Sequence, residues 1–491
     1  MSTHDRSENW GTSEAVDIDL QRQRHLFLKL AENAFLVAES LRDNYFKNTA
    51  AFITALRRAM MRQDSILATS AVDDLAWDDC AGEVVTFVDG GVGQVQISSQ
   101  VPILLRVGSY CVRTGERQLA SRESFGYYPV ILGDLEGGSK ERKDYIDIVR
   151  ISAELLGGLS ALDRTQDLNV LMFHGPLMYL VEAYAGHAPF TERDIDLFLG
   201  QYGTTSDQGR DLKEEFLRQA RIDIYPAMTD DARRLVERRL FEPLAWIAFL
   251  YRSLIRVARE RPKPPVIVGV VERGDLREFI ETVLLRRVFR GLREKQREDY
   301  FNTMYGRTDL VSEKALLDRL GYTDSLLMGM LLRPGEASEP WEVGKFAGLR
   351  GGQMGLPGEA STMPMRWEPL QPPSPFGFPP IVACYVHVSE TTEPIRVEVF
   401  KELGIEHLRE AARRAYLYAR LLPGYGFPVG LDIADKYAKV PTWLTDAYGK
   451  IIRHQLGVSL QQGEISDADM RRILVQAIYM THRDWLFRPQ A

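Results

Sequence analysis

Alternation of strand-like and helix-like sequence predicts an α/β fold, and three observations carry the prediction. Short apolar, β-branched runs recur at residues 84–88, 169–173, 381–388 and 395–400, the pattern of buried strands. Stretches with apolar residues near helical spacing stand between them, at 141–162, 401–422 and 429–455. From Gln94 to Val112 the chain alternates and is rich in Val, Ile and Leu, so it reads as two further strands of a meander begun by the first run.

In chain order, residues 1–16 are polar and read as a disordered tail. Residues 17–70 read as an N-terminal helical segment, in which Phe27, Leu30, Ala34, Phe35 and Ala38 mark an apolar stripe suited to packing or a dimer contact. Residues 80–455 form the main domain. Inside it, residues 190–330 read as a charged helical insertion and residues 333–380 as a long Pro/Gly-rich loop. Residues 456–491 read as a C-terminal helical segment.

Composition narrows the class. The 491 residues are 45% hydrophobic and 26% charged, ordinary globular usage that suffices for a large core. Net charge is −7, which excludes a protein basic all over but not one with a basic face. Arg286, Arg287, Arg290, Arg293, Lys295 and Arg297 make one basic cluster, and Arg233, Arg234, Arg238 and Arg239 another; interleaved acids make a solvated, salt-bridged helix face the default for both. Cys80, Cys111 and Cys384 show no paired or zinc-type spacing, which suggests a reducing compartment and a cytoplasmic protein. No 18-residue apolar window offers a membrane span.

Polar residues at the ends of these elements form a constellation. Asp89 follows the first apolar run and precedes Gly90-Gly91, as a strand-tip carboxylate or as an ordinary Asp-Gly hairpin turn. Glu154 lies in the next helix, His174 ends the next strand, and Asp435 lies in a late helix after Gly-Tyr-Gly-Phe-Pro. Strand Asp, helix Glu, strand-end ligand and late-helix Asp is the order in which ribonuclease H-like folds assemble a two-metal site. Such a site neutralises the attacking and leaving oxygens of a phosphodiester. Asp147, and more weakly Asp144, compete with Glu154; Asp432 competes with Asp435. An imidazole in the set favours Mn²⁺ over Mg²⁺.

The sequence resembles the NurA nucleases at six places. These are Phe87-Val88-Asp89-Gly90-Gly91, the stretch 170–177 ending His174-Gly175-Pro176-Leu177, the stretch 267–273 ending Glu272-Arg273, the stretch 332–338, Ile395-Arg396-Val397-Glu398, and the stretch 424–428 followed by Ala434-Asp435. The resemblance implies a ribonuclease H-like mixed sheet core and a DNA nuclease using Mn²⁺ or Mg²⁺ at Asp89, Glu154, His174 and Asp435, with Arg273 steadying the phosphate. It also implies a homodimer that works with a HerA-type hexameric ATPase in DNA end processing or repair. Two positions depart from the family pattern: His174 stands where an acid is usual, and Glu272 where Lys is usual. They admit a second reading, a catalytically inactive relative that binds DNA or the ATPase. A third is an actin-like nucleotide-binding protein using Asp89-Gly90-Gly91-Val92-Gly93 as a phosphate hairpin. Against it, the chain has neither a second Asp-Gly-Gly hairpin at the half-way point nor a Gly-x-x-x-x-Gly-Lys-Ser/Thr loop.

Overall fold

The structure is a computed structural model. It describes residues 24–62, 69–72, 77–95, 103–116, 123–128, 139–177, 212–216, 243–274, 276–284, 322–343, 379–422, 424–463 and 465–479. The chain divides into two compact units, one of Met1–Ile66 with Leu284–Tyr322, the other of Leu67–Val283 with Thr323–Ala491. The tail 1–16, both arginine clusters, and most of 190–330 and 333–380 lie outside the described residues.

In the first unit, α1 (Arg24–Ser40) runs through a π-type turn at Leu41–Phe46 into α2 (Lys47–Arg62). Helix α2 buries Phe52, Ile53 and Leu56. Phe52 stacks on Tyr322 at 5.8 Å between ring centroids, and the Tyr322 hydroxyl donates to Thr49 Oγ1. Every residue of α1 is exposed.

The second unit is built on one mixed sheet. Its elements, in order, are β1 (Thr69–Ala71), β2 (Val84–Gln94), β3 (Ile103–Arg113), β4 (Glu123–Tyr128), α3 (Ser139–Arg164), β5 (Leu168–His174), α4 (Pro243–Arg259) and β6 (Val266–Val271). There follow α5 (Asp324–Leu331), β7 (Glu336–Ser338), β8 (Trp341–Val343), β9 (Ile381–Val386), β10 (Ile395–Phe400), α6 (Ile405–Ala419), α7 (Val429–Ala438), α8 (Thr442–Gln461) and α9 (Ala468–Tyr479). The strand order is β1-β7-β9-β10-β6-β5-β2-β3-β4, with β8 also on β9. Strands β2, β5 and β6 run parallel; their other neighbours are antiparallel. Central parallel strands are covered on both faces, which is why β5 and β6 read as unbroken apolar runs.

Helices cover the sheet. Helix α3 packs on α4 and on β2, β3 and β5; α6 packs on β10, β6 and β9; α7 packs on β2 and β3. The main core joins Phe87, Tyr110, Met172, Val397 and Tyr418 with residues of α6 and α7.

Several sequence expectations are corrected, among them the helical reading of 190–330, since β6 (Val266–Val271) is a central strand of the sheet. Asp89 neither tips a strand nor opens a turn: β2 continues through Gly90-Gly91-Val92-Gly93, paired residue by residue with β3, Asp89 opposite Gly108. The glycines are there for close helix packing. A Cβ on Gly91 would lie 2.1 Å from the Ala438 carbonyl oxygen, and one on Gly108 2.5 Å from that of Ala434. This pairing also removes the phosphate hairpin of the actin-like reading. The helix expected over 429–455 is two, α7 and α8, because Pro441 cannot continue a helix and instead starts α8. Within 333–380, the described residues 336–338 and 341–343 are short strands rather than loop.

Candidate functional site

Three elements converge near the middle of β2. Side chains alternate along a strand, so Phe87, Asp89 and Gly91 face α7 while Gly90 faces α3. From α7 comes Asp435; from the end of β5 comes His174; from α3 comes Glu154, whose carboxylate lies where a Gly90 Cβ would be, 2.6 Å from that position. Gly430 lets α7 sit this low, since a Cβ there would strike the Phe87 ring at 2.2 Å.

Asp89 is buried. Its Oδ1 accepts the Gly90 N–H at 2.8 Å, and its Oδ2 lies 3.7 Å from His174 Nδ1. Burial, and then the neighbouring Asp435 carboxylate, push its pKa up to about 7, against the pull of the Gly90 amide and Arg150. Burial lowers the pKa of His174 and favours neutral imidazole; the charges of Asp435, Glu154, Glu272 and Asp432 oppose that. The edge of Phe427 meets the ring at 5.3 Å.

Two basic residues, absent from the sequence-based set, complete the site. Arg150 donates to Glu154 Oε1 at 2.6 Å and lies 4.0 Å from Asp147. Lys439 holds Asp435 Oδ2 at 2.5 Å. Both stand four residues from their acid on a helix or at its end, so the i,i+4 rule was the available signal. Of the rivals, Asp147 is more exposed than Glu154, and Asp432 pairs with Lys436 at 2.9 Å while the Tyr425 hydroxyl bonds to it. Arg273 is not gathered in: its side chain is 79% exposed, 4.0 Å from Glu272.

A buried polar network holds this end of the sheet. Gly175 takes a left-handed φ of 95° and its N–H bonds to the Val270 carbonyl at 2.8 Å, turning the chain sharply after His174. The Leu177 N–H donates to Glu398 Oε2 at 2.7 Å, and Arg396 Nε donates to Glu398 Oε1 at 2.7 Å. Tyr385 donates to Asp324, which also accepts the N–H groups of Phe279 and Ile280.

The donor set suits a divalent cation in kind: carboxylates with one neutral imidazole, on adjoining elements around a buried Asp. In this arrangement the acids are turned to basic partners rather than to a common point. Glu154 is committed to Arg150 and Asp435 to Lys439, and among the described residues no three His, Cys, Asp or Glu side chains converge on one point.

Comparison with known proteins supplies the family. The NurA domain model matches residues 83–440. A crystal structure of the NurA nuclease from Sulfolobus solfataricus is similar over 89% of this chain and 98% of its own, at 11% identity and a TM-score of 0.44. A NurA structure bound to dAMP and manganese is similar over 86% of this chain and 94% of its own, at 11% identity and a TM-score of 0.35. No curated protein matches the chain.

Proposed function

We propose, from the premise that this chain belongs to the NurA family, that it is a metal-dependent nuclease that hydrolyses DNA. The observation that carries the reading is the gathering of Asp89, Asp435 and His174 on glycine-thinned backbone, with Glu154 entering beside Gly90. A divalent ion held by these residues, Mn²⁺ in preference to Mg²⁺, would supply positive charge against a phosphodiester and its nucleophile.

The chain's own groups then divide the work. Asp89 is a buried carboxylate whose negative charge is costly until a cation meets it. His174 presents a neutral imidazole, its ring steadied by Phe427. Lys439, with a side chain 68% exposed, swings from Asp435 to a phosphate oxygen. Arg273, free to move in solvent, steadies the same phosphate.

The meander β2-β3-β4 joined to parallel β5 and β6 supports a ribonuclease H-like core. The family resemblance supports a role in DNA end processing or repair beside a HerA-type hexameric ATPase. The exposed apolar α1 supports a homodimer. Among the described residues no helix is long and apolar enough to cross a membrane, which accords with a cytoplasmic setting.

A second reading, an inactive NurA-like subunit, draws on the ion pairs that occupy Glu154 and Asp435. A nuclease assay on linear DNA separates the two. The parent is expected to degrade DNA in Mn²⁺, Asp89→Asn to lose activity, and His174→Asp to shift preference toward Mg²⁺ as oxygen replaces nitrogen. A parent inert in both metals establishes the second reading, and full activity in His174→Ala removes position 174 from the site.

A further inference from the structure

The motif Ile395-Arg396-Val397-Glu398 takes no part in the chemistry above, yet it carries a charged pair into the core. The Glu398 side chain is 1% exposed, and Arg396 Nε donates to its Oε1 at 2.7 Å. A buried pair of this kind contributes little stability beyond that of apolar side chains of similar size. Its presence calls for another task, and the second carboxylate oxygen shows one: Glu398 Oε2 accepts the Leu177 N–H at 2.7 Å.

Sheet register makes this contact possible. Glu398 of β10 and Phe173 of β5 both stand opposite Gly269 of β6, from its two sides. Residues opposite each other send their side chains to one face of the sheet. Gly269 sends none, and the Leu177 backbone takes the gap: a Cβ on Gly269 would lie 2.6 Å from the Leu177 nitrogen. The chain thus leaves β5 at His174, turns at Gly175 with its left-handed φ of 95°, and comes down on β6 within reach of Glu398. His174 opens the turn that this anchor closes, and its Nδ1 lies 3.7 Å from Asp89 Oδ2. A hydrogen bond to a charged acceptor is stronger than a neutral one, which suits an anchor that must hold a turn in one place.

We propose that Glu398 is a positioning residue for His174: it fixes the turn 174–177 through the Leu177 amide, and Arg396 supplies the opposite charge that lets a carboxylate do so in the core. The inference rests on the nuclease reading above for its effect on activity, and on the geometry alone for its effect on the turn.

The test separates position from stability. Full-length parent and variants are compared by hydrolysis of linear DNA in Mn²⁺, by melting temperature, by hydrogen–deuterium exchange at the Leu177 amide, and by the rate at which diethyl pyrocarbonate modifies His174. Arg396→Met with Glu398→Leu removes both charges and so leaves neither stranded. This double variant should melt close to the parent, exchange the Leu177 amide at least about tenfold faster with the β5 amides unchanged, and modify faster at His174. It should hydrolyse DNA about 10–100-fold more slowly, as for a small misplacement of a site group. Combined with His174→Ala, it should be no slower than His174→Ala alone, because the two changes act through one side chain. Gly269→Ala pushes on the same turn with both charges in place. It should show the same loss and the same non-additivity, and it decides the matter if the double variant does not fold. Parental activity in the folded variants, or a loss that adds in full to that of His174→Ala, overturns the inference and leaves the nuclease reading standing. A parent inert on DNA overturns the nuclease reading. The anchor is then judged on the turn itself: faster Leu177 exchange and His174 modification uphold it, and unchanged rates overturn it.

Discussion

Asp89 concentrates the cost of the site in a single side chain. Its folded pKa near 7 stands above the 3.8 of an ordinary Asp in an unfolded chain. Between those values the folded state holds a proton that the unfolded state has released, so stability falls as pH rises from about 4 to about 7 and then levels off. Below both values the residue contributes no pH dependence. Asp89→Asn, which is never charged, is expected to flatten this slope and to melt higher than the parent at pH 7 in EDTA. Melting temperatures across pH 4–8 check it; parallel curves for parent and variant would show that Asp89 is not held at such a cost. Glu398 is the opposite case, a carboxylate whose burial is compensated by Arg396 and the Leu177 amide. Glu398→Leu strands the guanidinium and should cost about 3–5 kcal/mol, whereas the double change Arg396→Met with Glu398→Leu should cost far less. Urea denaturation midpoints separate them, and equal losses in single and double variants would mean that the pair is not coupled.

At the scale of elements, β2 and α7 are made for each other. Gly91→Ala places a methyl against the α7 backbone, which cannot yield as a side-chain tip can. Overpacking of this kind should cost about 1–3 kcal/mol and, by lifting α7, displace Asp435 and weaken Mn²⁺ binding. Gly457→Ala in α8 is the control, since a Cβ there meets nothing within 4 Å. It should gain about 0.5–1 kcal/mol from helix propensity. Chemical denaturation of both, with Mn²⁺ titration of the first, decides; an unperturbed Gly91→Ala would show that the helix does not bear on the strand. These elements differ in how plainly the sequence shows them. Strands β5, β9 and β10 were legible because covered strands are mostly apolar, whereas β6 was hidden inside 190–330, a stretch whose charge reads as helical. The course of β2 past Asp89 was not, because Gly91 answers to a helix more than 300 residues away and Asp-Gly-Gly has the local look of a turn. Asp89, His174 and Asp435 stood out as polar residues adjoining apolar runs. Arg150 did not, because a basic residue on an amphipathic helix looks like surface until Gly90 lets Glu154 turn inward beside it.

For the whole molecule, the exposed apolar face of α1 calls for a partner. Leu26, Leu28, Leu30, Phe35, Leu36 and Val37 are each at least half exposed on a helix of 17 residues. Apolar side chains so numerous on one exposed helix mark an interaction surface, since removing them from water lowers the free energy. A stable contact needs about 1,600 Å² of buried surface, about 800 Å² from each partner, and a helix of this length presenting six large apolar residues can supply much of one share. A second copy of the chain is the proposed occupant. The full-length protein is therefore expected to sediment as a dimer at micromolar concentration, and a form lacking residues 1–45 as a monomer. Leu30→Glu with Phe35→Glu should have the same effect while keeping the helix, because Glu is a good helix former and its charge resists burial in an apolar contact. A monomeric parent, or a dimer unmoved by both changes, would assign the exposed face to a different partner.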